Sequence, residues 1–386
     1  MSLDVNYFNF SHYLADSRWE RGSFARKWWH AYAHDSYWVP PYFPIFRREL
    51  EPDRNRHLER MAPRFIYTTA LPRAASPRRS LNTFHINESM VEGIPSERTV
   101  AAGLVLCDPR REDRTAYLSL FRCTNNLESL ERFLDFSLDF LSAEGYQRLV
   151  GPVGMSAYLC SGILEDHWNH VPPSFTPYNP PYLPELMRET FKPLSTSQLY
   201  AIDIPAGALP RPVGPAQLGP FKPESLHSDL LPLLAEAGSS WSGFPQADAL
   251  EAAFLLRWIG YGPTQAWLAS MDGEAAGFVL LQPDLSPWLR MAKGGRNLFW
   301  RIWLDRAIRK PASQGRLLFA AVLPAWRSQG IGRQLFQQAL AVAGDHGWKR
   351  LVIGPLSEEL KSLRSFLEHQ GAVPGQIYRL YQMEIR

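Results

Sequence analysis

The clearest alternation of apolar and polar positions lies in the last third of the chain. Gln265 to Ala269 and Ala275 to Gln282 alternate or run apolar around Asp272-Gly273, a dipeptide suited to tight turns, and so predict a β-hairpin. Leu317 to Leu323 reads as a buried strand. The segment after it places Leu335, Phe336, Ala339, Leu340 and Ala343 on one face of a helix that ends near Gly347. Leu351 to Ile353 predicts another strand, Ser357 to His369 another helix, and Tyr378 to Ile385 a last strand. Earlier in the chain the same order recurs: Val100 to Leu106, Ala116 to Cys123, a helix carrying Leu127, Leu130, Phe133, Leu134 and Leu141, then Leu149-Val150 and a closing strand from Gln198 to Ile204. Both stretches predict mixed sheets flanked by helices, an α/β class.

The recurrence extends to residues. Ala101-Ala102-Gly103-Leu104-Val105-Leu106 matches Ala275-Ala276-Gly277-Phe278-Val279-Leu280, and Gly145-Tyr146-Gln147-Arg148-Leu149-Val150 matches Gly347-Trp348-Lys349-Arg350-Leu351-Val352, in the same order in each half. Between the halves, Pro205 to Pro220 is so rich in Pro and Gly that it sustains neither helix periodicity nor strand alternation. Two related domains are therefore expected, 1–204 and 221–386, joined by a linker at 205–220.

Composition narrows the class. A length of 386 residues suits two cores better than one, and 45% hydrophobic with 13% aromatic residues argues against long disordered tracts. A net charge of +3 demands neither nucleic acid nor an anionic membrane as partner. Cys107, Cys123 and Cys160, an odd number in a long chain, read as reduced thiols. The first residues lack the apolar core of a signal peptide and no apolar run is long enough for a membrane helix, so a cytoplasmic location is expected.

Chemistry concentrates at Arg327-Ser328-Gln329-Gly330-Ile331-Gly332, between a predicted strand and its helix. Glycines there let backbone N–H groups converge without a side chain in the way, and the helix N-terminus adds the positive end of its dipole, which suits a diphosphate. The spacing resembles the Arg/Gln-x-x-Gly-x-Gly/Ala signature of the GNAT superfamily of N-acetyltransferases, and Val322-Leu323-Pro324-Ala325-Trp326-Arg327 resembles the strand end that precedes it. Trp38-Val39-Pro40-Pro41, Gly151-Pro152 with Ser156, Pro172-Pro173 and Pro177-Tyr178-Asn179-Pro180 with Tyr182 are similar to an uncharacterised bacterial family of tandem GNAT-like proteins, although Pro-Tyr-Asn-Pro is also plain turn chemistry. The resemblance implies two tandem GNAT-like domains. It implies acetyl-CoA or another acyl-CoA held by Gln329, Gly330, Ile331, Gly332 and Arg333, with Arg327 in the motif, and pantetheine paired with the strand at Ala321 and Val322.

The first half departs from the pattern. Thr124-Asn125-Asn126-Leu127-Glu128-Ser129 has no glycine and no preceding arginine, so its cradle is absent and one acyl-CoA site is expected, in the second half. The second half departs too: Leu360 and Leu367 stand where many relatives carry an Asn and a proton-donating Tyr, and Leu317 to Leu323 holds no carboxylate to act as base. Tyr378 and Tyr381, on a last strand expected to border the thioester, are the candidate donors, with His369 nearby. The expected activity is acyl transfer to a small-molecule amine. A non-catalytic acyl-CoA-binding or sensing protein is the rival, and aminoacyl transfer would need a tRNA-binding surface that the charge does not announce.

Weaker signals carry bland readings. His30 with His34, and His167 with His170 beside Glu165 and Asp166, lack a third local ligand, so no metal is expected. The arginines at 47, 48, 54, 56, 60, 64, 73, 78 and 79 are interleaved with Glu49, Glu51, Asp53 and Glu59 and read as a solvated face. Ser286 to Gln314 is an insertion whose Leu298 to Leu304 is amphipathic: a lid, an interfacial helix or, as we favour, interdomain packing.

Overall fold

The computed structural model describes residues 7–72, 97–205, 212–221, 226–237 and 244–385. The first half runs β1 (Tyr7–Leu14), α1 (Arg18–His30), α2 (Phe43–Glu49), α3 (Arg56–Arg60), β2 (Arg64–Pro72), β3 (Arg98–Cys107), β4 (Thr115–Cys123), α4 (Leu127–Ala143), β5 (Arg148–Val153), β6 (Ile163–Leu164), α5 (Tyr182–Thr190) and β7 (Lys192–Asp203). The second runs β8 (Gln217–Pro220), α6 (Leu226–Ala237), α7 (Ala249–Ile259), β9 (Gln265–Met271), β10 (Glu274–Pro283), α8 (Ser286–Met291), α9 (Leu298–Ala307), β11 (Gln314–Val322), α10 (Ile331–Asp345), β12 (Arg350–Ser357), α11 (Lys361–His369) and β13 (Val373–Glu384). The duplicated hexapeptides fall on equivalent strands: the first pair on β3 and β10, the second leading into β5 and β12.

Local chemistry sets the boundaries. Ser17 and Glu20 form a reciprocal capping box that opens α1, and the Asn126 side chain accepts from Ser129 N to open α4. α11 begins at Lys361 rather than at Ser357, because β12 continues through Ser357.

All the strands join one sheet, in the order β1-β2-β3-β4-β5-β13-β7-β12-β11-β10-β9-β8, with β6 added against β13. The closing strands are therefore exchanged. β7 from the first half pairs with β12 of the second, Tyr200 opposite Ile353, while β13 from the second half pairs with β5 of the first, Tyr381 opposite Gly151. β7 and β13 then pair with each other at the centre. The halves divide in sequence near 205–220, but each completes the sheet of the other. Of that stretch, 206–211 lies outside the described residues and Gln217–Pro220 is not linker but an edge strand against β9.

One face of the sheet carries α4 and α5 over Leu130, Phe133 and Leu149, and α10 and α11 over Leu335, Ala339 and Leu351. The other face holds a core shared by both halves, in which Phe24, Trp29 and Phe46 of α1 and α2 meet Phe254 and Trp258 of α7. The insertion joins this side: Leu289 and Leu304 pack with Val39, Tyr42 and Tyr261, in line with the packing reading, while Leu298 and Phe299 stay exposed.

Polar groups tie the two halves together. Fully buried Glu49 on α2 accepts from Arg257 on α7 at 3.2 and 3.1 Å and from Arg48 at 2.8 Å. Buried Glu251 on α7 accepts from Ser156 at 2.7 Å and from Arg110 at 3.1 Å. Of the basic stretch, Arg60 pairs with Asp248 and Arg64 with Glu144, whereas Arg73, Arg78 and Arg79 lie outside the described residues. Among the described residues no helix is long and apolar enough to cross a membrane.

Candidate active site

In the second half, β11 and β12 run parallel only from Gln314 opposite Arg350 to Leu317 opposite Ile353. Past that point β11 continues to Val322 with β10 on one side and, among the described residues, no strand on the other. The register against β10 slips at Leu318, a bulge of the kind that re-aims a strand. Buried Arg316 sits at the base of this fork, its guanidinium donating to Gly354 O at 2.7 Å and to Ser174 O at 2.8 Å, so the strands are pinned just before they part.

Alternation decides which backbone groups face the opening. Leu323 N donates to Ala276 O on β10 at 2.9 Å, so the N–H and C=O of Val322 turn the other way, toward the opening, as do those of Ala320. Ala321 carries its polar atoms to β10: its carbonyl lies 2.6 Å from where a Cβ on Gly277 would stand. Of the two strand residues expected to meet pantetheine, Val322 faces the opening and Ala321 does not. Ala320 faces the opening as Val322 does.

The strand leads through a 3-10 turn at Pro324–Trp326 to the start of α10. Gly330 is the N-cap with φ 84°, a left-handed conformation that costs an L side chain roughly 1–2 kcal/mol. No side chain caps this helix, and the amides of Ile331, Gly332 and Arg333 find no acceptor among the described residues. A Cβ on Gly332 would meet only Val322 Cγ2, at 3.6 Å, so space over the amides is open. Arg327 Nε donates to Val322 O at 3.2 Å, which covers that carbonyl and leaves the Val322 N–H. The structure thus gathers Val322, Arg327, Gln329, Gly330, Ile331, Gly332 and Arg333 at one exposed corner, and the donor set fits a diphosphate.

The corresponding corner of the first half is closed. Asn126 Oδ1 accepts from Ser129 N at 2.8 Å and Ser129 Oγ at 2.9 Å, so a side chain occupies the place of an anion.

Tyr378 and Tyr381 are not at the fork. The strand next to β12 is β7, and β13 lies beyond it, so the exchange of closing strands removes the expected border with the thioester. Both rings are fully buried, and they belong to cores on opposite faces of the sheet, Tyr378 with Leu199 and Val352, Tyr381 with Leu149 and Leu183. Tyr381 OH donates to Glu165 Oε1 at 2.5 Å and Tyr378 OH to Gln376 Oε1 at 3.3 Å. Burial raises both phenol pKa values further above their ordinary range. Neither ring therefore borders the fork in the way expected of the last strand. Leu367 is buried in the core and Leu360 precedes α11, so neither position supplies an acid; His369 Nδ1 is engaged by Ser365 O at 2.6 Å.

The remaining motif residues are structural in large part. Asn179 clasps the backbone of Leu164, accepting at 2.7 Å and donating at 3.1 Å, and Tyr182 OH donates to Cys123 O at 2.8 Å. His167 lies 3.1 Å from Asp166, and among the described residues no three His, Cys, Asp or Glu side chains are grouped to hold a metal ion.

Residues 232–372 match the Acetyltransferase (GNAT) family. The fold is similar along nearly its whole length to a tandem GNAT protein from the clavulanic acid biosynthesis pathway, at 11% identity, a TM-score of 0.54 and 98% coverage of each chain. It is similar also to a GCN5-related N-acetyltransferase from Sphaerobacter thermophilus, at 14% identity and a TM-score of 0.51 over 98% of this chain and 96% of that one. A conserved protein of unknown function from Enterococcus faecalis V583 aligns at 7% identity and a TM-score of 0.54, covering 98% and 72% of the two chains. No curated protein matches the chain. The second half thus contains a GNAT domain over residues 232–372, and the chain as a whole has a fold similar to that of tandem GNAT proteins.

Proposed function

We propose that the protein transfers an acyl group from acetyl-CoA or another acyl-CoA to a small-molecule amine, with the acyl-CoA bound in the second half. The carrying observation is the fork: β11 parts from β12 beyond Leu317, and the open edge runs directly to the uncapped amides of Ile331, Gly332 and Arg333. Those amides would hold the pyrophosphate, with the backbone of Ala320 and Val322 along the pantetheine. Acyl-CoA supplies the thioester carbonyl when bound. The Val322 N–H would polarise that carbonyl toward an attacking amine, since its own carbonyl partner is already covered by Arg327. With both tyrosines buried elsewhere, solvent in the fork would take up the amine proton as the C–S bond breaks and would protonate the departing CoA thiolate.

A non-catalytic acyl-CoA-binding role is favoured by one observation, the burial of Leu367 where a proton donor would stand. Calorimetry with acetyl-CoA, followed by release of free CoA across a panel of amines, separates the two. Binding with turnover supports transfer, binding without turnover supports the rival, and no binding removes both.

A further inference from the structure

A cavity lies between the two halves, where β4 runs on past the end of its pairing with β5 at Ser119 and Val153. It measures about 130 Å³, close to the size of an engineered apolar cavity that accepts a benzene ring. Its walls come from both halves: Trp28, Trp38 and Phe46 from the first, Phe254, Trp258 and Leu289 from the second. Nearly everything facing it is aromatic or aliphatic.

The one charged side chain in the lining is Arg122. This β4 side chain lines the cavity and is itself 97% buried, by its residual exposure of 3%. Its guanidinium stacks 3.5 Å from the ring centroid of Trp28, 4.1 Å from Tyr32 and 4.6 Å from Trp38, and one nitrogen donates to Trp28 O at 2.8 Å. Among the described residues no carboxylate pairs with it, whereas Arg316, the other buried arginine there, donates to two carbonyls. A guanidinium carries five donors, so one carbonyl leaves most of its capacity unused. Stacking on aromatic faces offsets part of the cost of burying the charge, but an uncompensated interior cation remains expensive. The Tyr32 hydroxyl against the same group is buried with no hydrogen-bond partner. Burial draws the pKa of Arg122 down to about 9, the response of a cation lacking an anion.

We infer that this cavity binds a small aromatic monocarboxylate, its ring against the tryptophans and its carboxylate on Arg122. A ring matches the walls and volume, and a planar carboxylate matches the guanidinium fork. A CoA ester does not fit the site, because Asn126 caps the helix where its diphosphate would bind. The inference is independent of acyl transfer in the second half.

The test is binding of phenylacetate and benzoate to the full chain, read by the fluorescence of the lining tryptophans and by thermal shift, beside the neutral isosteres 2-phenylethanol and benzamide. Expected are saturable binding of an aromatic acid at least tenfold tighter than its neutral isostere, and loss of that preference in Arg122→Met with circular dichroism unchanged. Should Arg122→Met fail to fold, Leu289→Trp, which fills the cavity from the second half, is expected to abolish binding. No binding of either acid at millimolar concentration, equal binding of acid and isostere, or full binding by the cavity-filled variant each overturns the inference.

Discussion

Tyr200, near the end of the first half, stands opposite Ile353 of the second in one antiparallel register. Its strand is what closes the sheet beside the fork of β11 and β12, and β13 from the other half does the same service beside β5. Each half alone would expose the unpaired edges of central strands, a template for aggregation. A protease site inserted between residues 205 and 212 should therefore cut the chain without separating the pieces. Size-exclusion chromatography after cleavage should give one peak of the full mass, while either half expressed alone should be insoluble. Two soluble, separating halves would contradict the exchange.

Gly332→Glu tests the cradle. Its Cβ enters open space, so the fold should keep its melting temperature, while a carboxylate over the amides opposes phosphate. Losing charge-assisted bonds of about 1.5–3 kcal/mol each should weaken acetyl-CoA binding more than tenfold by calorimetry. The fitted stoichiometry should be one per chain, and Asn126→Gly, in the capped corner of the first half, should not add a second site.

For the buried phenols the expectation is structural. Tyr381→Phe removes a hydrogen bond to Glu165, which keeps Arg188 and Arg379 nearby, so a loss of about 0.5–1.5 kcal/mol in unfolding free energy should appear with no change in acyl transfer. A fall in turnover without a fall in stability would restore Tyr381 to the chemistry.

Arg257→Ala leaves buried Glu49 with Arg48 alone. An under-satisfied carboxylate between α2 and α7 should cost about 1–3 kcal/mol in urea denaturation. Arg257→Met combined with Glu49→Gln should recover part of it, since removing both charges also removes their desolvation penalty.

His57 makes stability depend on pH. It is buried between Met155 O, 3.0 Å from Nε2, and Arg60 Nη2, 3.3 Å from Nδ1, which suits a neutral ring with the proton on Nε2. Burial lowers its pKa from 6.5. The unfolded chain then binds a proton that the folded chain resists, so this contribution is complete above about 6.5 and is lost as pH falls from there toward the lowered folded value. His57→Gln should flatten the fall in melting temperature over that interval relative to the unmodified protein.

Sequence periodicity by itself determined the element types in both repeats, because strand alternation, the 3.6-residue stripe of α4 and α10, and turn residues such as Asp272-Gly273 are local properties. The anion corner was equally legible: Gly330 and Gly332 at a helix start are a backbone requirement written directly in residue type. β1, an edge strand, and β2 beside it were not anticipated, their patterns being mixed. What only the tertiary structure decided is partnership. Hydrophobic alternation in β7 and β13 says that each has buried faces, but not which neighbour it pairs with, and the exchange of those two strands moved Tyr378 and Tyr381 away from the fork. Backbone parity at Ala320, Ala321 and Val322 depended on pairing with β10 in the same way. Arg122 is one arginine among many in the chain; its solitude among Trp28, Tyr32 and Trp38 exists only where strand, helix and loop meet, since burial and the absence of a counter-charge are properties of a place in space and not of a position in the chain.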